Sequence, residues 1–234
     1  MLTIVDITKF SLQDYPNHTS CIVWFGGCNL RCQYCHNPEF ITGKFNKYIT
    51  EEELLNFLKT RVDLLDGVVL SGGECTLGGN DFIELIKKIK QLNFKIKIDT
   101  NGINFDTVKY LIENKLIDFV ALDYKATKEK FTFITNNKNY DLFQKTLKYL
   151  IEKYKNKEID LEIRTTIHTD LLNEDDINNI IKHLEELGYN GNYYIQNFRN
   201  DNKETLCNLP NQKKLLDKEK IKSNSIKLGF RNFF

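Results

Sequence analysis

Three cysteines, Cys28, Cys32 and Cys35, stand within eight positions in the stretch CNLRCQYC, and no fourth cysteine lies near them. Thiolate sulfur is a soft donor that suits zinc or iron–sulfur centres. A closed structural zinc site takes four ligands, normally from two Cys/His knuckles, whereas this chain offers a single C-x3-C-x2-C loop. Three thiolates leave one metal position open, which suits a four-iron cluster whose fourth iron can take a substrate or cofactor. His36 adjoins Cys35, which makes joint coordination of one zinc awkward, and Cys75 is the better candidate for a fourth zinc ligand. Gly26 and Gly27, just before the loop, give the backbone freedom to wrap a bulky cluster and place amides where they can donate to its sulfurs. The residues alone favour an iron–sulfur centre over zinc or plain thiols.

Such a loop needs a scaffold, and the rest of the chain reads as alternating strands and helices. Short β-rich apolar runs recur at SCIVWF (20–25), GVVLS (67–71), FKIKID (94–99), DFVALD (118–123), LEIRTTI (161–167) and NYYIQNF (192–198), after an opening flanking strand in LTIVDITKFSL. Between them lie helical patterns. TEEELLNFLKTRV begins with a capping box of Thr50 and Glu53 and sets Leu54, Leu58 and Val62 on one face. DFIELIKKIKQL, NFDTVKYLIENK and YDLFQKTLKYLIEKY repeat the theme; NEDDINNIIKHLEEL adds Asn173 as N-cap with Ile177, Ile180, Ile181 and Leu184 facing inward. Alternation of this kind predicts an α/β fold with a parallel sheet and right-handed crossovers, either doubly wound or an incomplete β/α barrel. Both place active sites at the C-terminal strand ends. The polar motifs fall there: the cysteines after the first of these strands, SGGE (71–74), DTNG (99–102) and DYK (123–125) after the next three, then Arg164 to His168 and Gln196 to Arg199.

Composition narrows the function further. A chain of 234 residues with 41% hydrophobic content can bury a sizeable core, and its length predicts one domain spanning 1–234. The 33 basic and 32 acidic residues give a net charge of +1, which argues against nucleic acid or an anionic membrane as partner. No basic leader with an apolar run, and no apolar segment of membrane-spanning length, is visible, so a cytoplasmic protein is expected. The scatter of Cys21, Cys75 and Cys207 around one tight cluster favours metal binding over a disulfide framework. The segment 203–234, with eight basic and three acidic residues, reads as a solvated helix and tail.

The pattern C-x3-C-x-aromatic-C, with Tyr34 as the aromatic, resembles the signature of the radical S-adenosylmethionine superfamily. The resemblance implies an incomplete (β/α)6 barrel with an N-terminal flanking strand, a cluster loop over 26–38 and a C-terminal extension over about 200–234. It implies that Cys28, Cys32 and Cys35 hold three irons of a 4Fe-4S cluster and that S-adenosylmethionine chelates the fourth through its amino and carboxylate groups. Reductive cleavage of the sulfonium then gives methionine and a 5′-deoxyadenosyl radical. SGGE, whose Gly72 and Gly73 carbonyls and Glu74 suit an ammonium group, fits this independently.

SLQDYP, CHNPEF, DTNG and LDYK further resemble the glycyl radical enzyme activases, and RTTIHTDLL and IQNFR resemble the late strands of those acting on anaerobic ribonucleotide reductase, in the variant that is itself similar to the pyruvate formate-lyase activases. The implied reaction is hydrogen abstraction from a backbone glycine of a partner enzyme, with the electron supplied by an external low-potential donor such as flavodoxin or ferredoxin. By the same resemblance Tyr34, Cys35 and His36 pack against adenine; Asp99, Thr100 and Asp123 form a monovalent-cation site; and Asn101, Asp123, Lys125, Arg164 and Gln196 contribute to cofactor or peptide binding. Arg164 could equally pair with a neighbouring acid. Family members commonly carry proline after GGE; here Cys75 stands there and reads as a small buried side chain. His168 has no partner in view, and His183 reads as a surface or packing residue. Three alternatives stay open: an activase for another glycyl radical enzyme, a small-molecule radical enzyme such as a 7-deazapurine synthase, and a zinc-binding adaptor.

Overall fold

Short apolar runs bounded by Gly, Asn and Asp become strands, and the amphipathic runs between them become helices, in an α/β structure whose strands are mostly parallel. The computed structural model describes residues 2–43, 45, 48–199 and 205–233. The chain divides into two compact units. The first comprises Met1–Asn29, Glu39–Thr100 and Asn104–Ala121, and the second Leu30–Pro38, Asn101–Ile103 and Leu122–Phe234.

The chain runs through strands β1 (Ile4–Ser11) and β2 (Ser20–Phe25), helices α1 (Pro38–Thr42) and α2 (Glu51–Lys59), strand β3 (Gly67–Gly72), helix α3 (Gly79–Lys90), strand β4 (Lys95–Thr100), helix α4 (Phe105–Glu113) and strand β5 (Phe119–Asp123). In the first unit β1 is the expected flanking strand, antiparallel to β2 from Ile4 opposite Phe25 to Ser11 opposite Ser20. β2, β3 and β4 are parallel neighbours. Val68, Val69, Leu70, Ile96 and Ile98 are fully buried, as parallel strands covered on both faces require. Ser20 to Phe25 pair in step with Gly67 to Gly72, so β2 and β3 end at one level and their following residues emerge side by side.

The Thr50–Glu53 capping box forms, and Leu54 and Leu58 are fully buried. The helix is shorter than its apolar period predicts: α2 ends at Lys59, and Val62 lies beyond it, 38% exposed, instead of sharing the buried face. The chain turns away through Asp63, whose φ of 64° belongs to the left-handed region.

The second unit continues with helices α5 (Lys128–Thr135) and α6 (Tyr140–Lys155), strand β6 (Asp160–Ile167), helix α7 (Glu174–Glu186) and strands β7 (Asn192–Asn197) and β8 (Lys227–Arg231). β6, β7 and β8 are parallel neighbours, with Arg164 opposite Tyr194 and Gln196 opposite Arg231. Asn173 caps α7 in a box with Asp176, and Ile177, Ile180, Ile181 and Leu184 are buried as expected.

The reading of the C-terminal segment as a solvated helix and tail is corrected by β8. Residues 200–204 and 234 of that extension lie outside the described residues. The turn before β8 is fixed by Glu185 of α7, whose carboxylate accepts from the Asn224 and Ser225 amides at 2.6 and 3.0 Å and from Ser223 Oγ at 3.0 Å. No helix among the described residues is long and apolar enough to cross a membrane.

Candidate active site

In the first unit the ends of β2, β3 and β4 carry Cys28, the SGGE motif and Asp99–Thr100. The Gly73 amide donates to the Phe25 carbonyl at 2.8 Å, and the Glu74 amide to the Gly27 carbonyl at 2.8 Å. Both glycines are needed for this approach. Gly72 has φ 123°, and a Cβ on Gly73 would stand 2.0 Å from the Gly27 oxygen. The motif therefore lies against the residue immediately before Cys28.

Glu74 is buried, and its Oε1 accepts from Thr76 Oγ1 at 2.6 Å and Thr100 Oγ1 at 2.8 Å, tying the end of β3 to the end of β4. Asp99 is held at both oxygens: Lys97 Nζ stands 2.6 Å from Oδ1, and Ser71 Oγ donates to Oδ2 at 3.0 Å. Cys75 is 1% exposed, with Sγ 3.5 Å from the Asp99 carbonyl. Burial, and then the charges of Glu74 and Asp99, push its thiol well above the usual range, which is the behaviour of a small packed side chain.

The second unit carries the rest of the cysteine loop. The Cys35 amide closes a turn on the Cys32 carbonyl at 3.0 Å, and Cys32 is buried while Cys35 is half-buried. The loop hangs on the C-terminal end of α5: the Arg31 and Gln33 amides donate to the Thr135 and Ile134 carbonyls at 2.8 and 2.9 Å, and Gln33 Nε2 donates to Phe133 O at 2.8 Å. The last carbonyls of a helix lack intrahelical partners, and here the loop supplies donors for them.

Tyr34 is buried with its hydroxyl 3.4 Å from the Lys125 carbonyl. His36 stacks on Phe198 with ring centroids 4.4 Å apart, its Nε2 lies 2.9 Å from the Arg199 carbonyl, and the Leu206 amide donates to the Cys35 carbonyl. Residues beyond β7 thus back the loop, a role the sequence did not signal.

Asp123 accepts from Arg164 Nε at 2.9 Å and from Lys125 Nζ at 3.0 Å, so the neighbouring acid named as one of the two partners for Arg164 is in place. Burial opposes the Lys125 charge, but the Asp123 carboxylate outweighs it and holds the ammonium protonated well above its ordinary range. Gln196 spans from Thr166 Oγ1 to Arg231, whose guanidinium also lies 3.6 Å from the Tyr194 ring centroid and 3.4 Å from Glu162. Asn101 Oδ1 accepts the Ile103 amide at 3.0 Å, an Asx turn made possible by Gly102 at φ 77°. His168 is fully buried; it accepts from the Asp170 amide at Nδ1, leaving Nε2–H to donate to the Pro210 carbonyl at 2.9 Å. It anchors the C-terminal segment. His183 packs as expected, with Nδ1 2.9 Å from the Tyr124 hydroxyl.

The donor set suits an iron–sulfur cluster. None of the six cysteines forms a disulfide, and the three of the loop are soft ligands. The Gly26 and Gly27 amides, expected to donate to cluster sulfurs, instead donate to the Thr3 and Phe40 carbonyls at 2.9 and 2.6 Å, because the chain entering the loop is fastened to neighbouring backbone. The carboxylates expected to bind a monovalent cation fit that ion less well, because Asp99 and Asp123 already hold ammonium or guanidinium groups.

Comparison with known proteins points the same way. The sequence profile of the Radical SAM superfamily matches residues 22–187. A Methanocaldococcus jannaschii protein named a putative glycyl-radical enzyme activating enzyme is 34% identical over 195 residues, covering 82% of this chain and 78% of that one. The pyruvate formate-lyase-activating enzyme of Clostridium pasteurianum is 35% identical over 126 residues, and the chain spans about half (52%) of its length. Among solved structures, Streptococcus suis SuiB bound to S-adenosylmethionine superposes with a TM-score of 0.60 at 19% identity, over 76% of this chain and 40% of that one, a likeness of fold.

Proposed function

The chain belongs to the Radical SAM superfamily, and on that premise we propose that it is a glycyl radical enzyme activase whose substrate is a backbone glycine of a partner protein. The superfamily implies a 4Fe-4S cluster and S-adenosylmethionine. The observation that carries the reading is the 34% identity, over most of both chains, to a protein named for glycyl-radical enzyme activation. When bound, cluster and cofactor supply a 5′-deoxyadenosyl radical able to take a hydrogen atom from a glycine Cα.

In this reading Cys28, Cys32 and Cys35 provide the three thiolates. The Gly72 and Gly73 carbonyls, beside the buried Glu74, accept from the cofactor ammonium, and Tyr34 with His36 supplies packing for adenine. Asn101 holds the turn after β4. Lys125 and Arg164 fix the Asp123 carboxylate so that it presents one orientation to cofactor or peptide, and Gln196 lines the end of β7. The electron comes from an external donor of the flavodoxin or ferredoxin type, and a cytoplasmic location accompanies such chemistry. A monovalent cation at Asp99, Thr100 and Asp123 has the least support, for the pairing described above.

Anaerobic ribonucleotide reductase is the first partner to test, from the likeness of the motifs after β5. Pyruvate formate-lyase is the second, because activases of that enzyme are 31–35% identical over about half of this chain. The test is anaerobic reconstitution with iron and sulfide, reduction, and assay of 5′-deoxyadenosine with each partner, with electron paramagnetic resonance for the glycyl radical. A radical on one partner identifies it. Cofactor cleavage with no radical on either reopens the substrate to another glycyl radical enzyme or a small molecule, and a colourless zinc protein without cleavage overturns the reading in favour of an adaptor.

A further inference from the structure

Lys97 is 1% exposed in the middle of β4, flanked by the fully buried Ile96 and Ile98. A parallel strand covered on both faces ordinarily carries a branched apolar residue at such a position. Its neighbourhood is apolar: Val69 stands opposite it on β3, in a core cluster with Tyr15 and Ile22 against which Trp24 and Phe119 pack. An unpaired ammonium there would be strongly destabilising. Two contacts offset the cost. Nζ lies 2.6 Å from Asp99 Oδ1, and 5.7 Å from the centroid of the Phe119 ring, whose negative face attracts a cation.

Lys97 and Asp99 are two residues apart on one strand, so their side chains share a face. Ser71 Oγ takes the second Asp99 oxygen, and one residue on, Thr100 donates to Glu74. A strand-end carboxylate lacking a counter-charge is a hard-oxygen ligand for Na+ or K+. A buried carboxylate in a charge-assisted hydrogen bond with an ammonium has that charge matched from within the chain.

We propose that the Lys97 ammonium is a built-in counter-cation for Asp99, taking the place an alkali cation would otherwise fill, so that this strand-end network is complete without Na+ or K+. The inference rests on the geometry of the first unit alone and stands whichever glycyl radical enzyme is the partner.

The test is thermal unfolding of the full chain in sodium, potassium and N-methyl-D-glucamine chloride at constant ionic strength, with sodium-23 line widths measured alongside. The wild-type Tm stays within about 1 °C across the three salts, and its line width matches a protein-free blank. Lys97→Met keeps the apolar stem and removes the charge, so Asp99 recruits a cation. Its Tm rises by about 3 °C or more in sodium or potassium, the shift for a site about tenfold above its dissociation constant. Lys97→Gln, which keeps a donor to Asp99 without the charge, shows the same response and serves where the methionine variant does not fold. A wild-type protein that gains about 3 °C in sodium or broadens the sodium signal overturns the proposal. Folded variants indifferent to the salt overturn it too, since Lys97 would then be a core ion pair and nothing more.

Discussion

The Gln33 amide donates to the Ile134 carbonyl at 2.9 Å, so the residue between Cys32 and Tyr34 is fastened to the last turn of α5. The position of Cys32 and Cys35 therefore depends on a helix that holds no chemistry of its own. Phe131 is the fully buried anchor of α5, packing edge-on against Tyr140 at 5.3 Å. We expect Phe131→Ala to cost about 3–5 kcal/mol in urea unfolding and to lower the iron retained per chain after reconstitution. Leu150→Ala, equally buried but in α6, is the control: it costs about 2–5 kcal/mol and leaves iron content unchanged. Equal iron loss in both variants would break the link between α5 and the loop.

Two glycines separate backbone strain from close approach. Gly79 combines φ 55° with ψ −128°, outside the left-handed helical region and accessible chiefly to glycine, and a Cβ added there would meet nothing within 4 Å, so Gly79→Ala meets backbone strain alone, about 1–3 kcal/mol. At Gly73 the added carbon would sit 2.0 Å from the Gly27 oxygen, and the backbone next to Cys28 must move. Gly73→Ala should cost about 3 kcal/mol or more and weaken S-adenosylmethionine binding, measured by isothermal titration to the reconstituted protein. Unaltered binding in Gly73→Ala would show that the SGGE turn does not shape the cofactor site.

The strands were legible because short apolar runs at regular spacing admit little else: each of the six barrel-type strands begins and ends within one residue of its expected position. The α5 helix was not, because KEKFTFIT mixes aromatic and β-branched residues that suit a strand, and only tertiary burial of Phe131 and Ile134 makes it helical. β8 was hidden for another reason. Five residues, two of them basic, carry no readable period, and their register comes from β7 and from Glu185 across the fold. At the site, the cysteines, glycines and acids announced themselves by spacing. Their partners Ser71, Lys97 and Arg231 did not, since pairing at i+2 or across strands leaves no local signature.

Glu185 also makes that C-terminal anchor sensitive to acid. Hydrogen bonds from the Ser225 and Asn224 amides lower its carboxyl from its ordinary 4.5 to about 2. A group whose folded value is depressed contributes stability above its unfolded value and loses it as pH falls through the folded one. The contribution should be complete above about pH 4.5 and gone near pH 2. Wild type should exceed Glu185→Gln in Tm by a constant margin at neutral pH, with the margin closing over that window. β8 amides should exchange faster in the variant. A margin that stays constant down to pH 2 would show that the carboxylate's charge plays no part in the clamp.

The six thiols should separate by environment. Cys21 and Cys75 are 0% and 1% exposed, and burial raises both thiols, Cys21 to about 12, so neither forms thiolate at pH 8. Cys207 is exposed. In native protein without iron, iodoacetamide at pH 8 should label Cys207, and Cys28 and Cys35 of the half-buried loop, while Cys21 and Cys75 react only after denaturation, as read by peptide mass spectrometry. The same division governs activity. Cys75→Ala removes packing worth about 1 kcal/mol and should retain 5′-deoxyadenosine formation, whereas Cys32→Ala should abolish it with the fold retained, because the loop lies outside the strand core. Cofactor cleavage by reconstituted Cys32→Ala would refute the assignment of that thiol to the cluster, and loss of cleavage in a folded Cys75→Ala would give the buried thiol a chemical role its surroundings argue against.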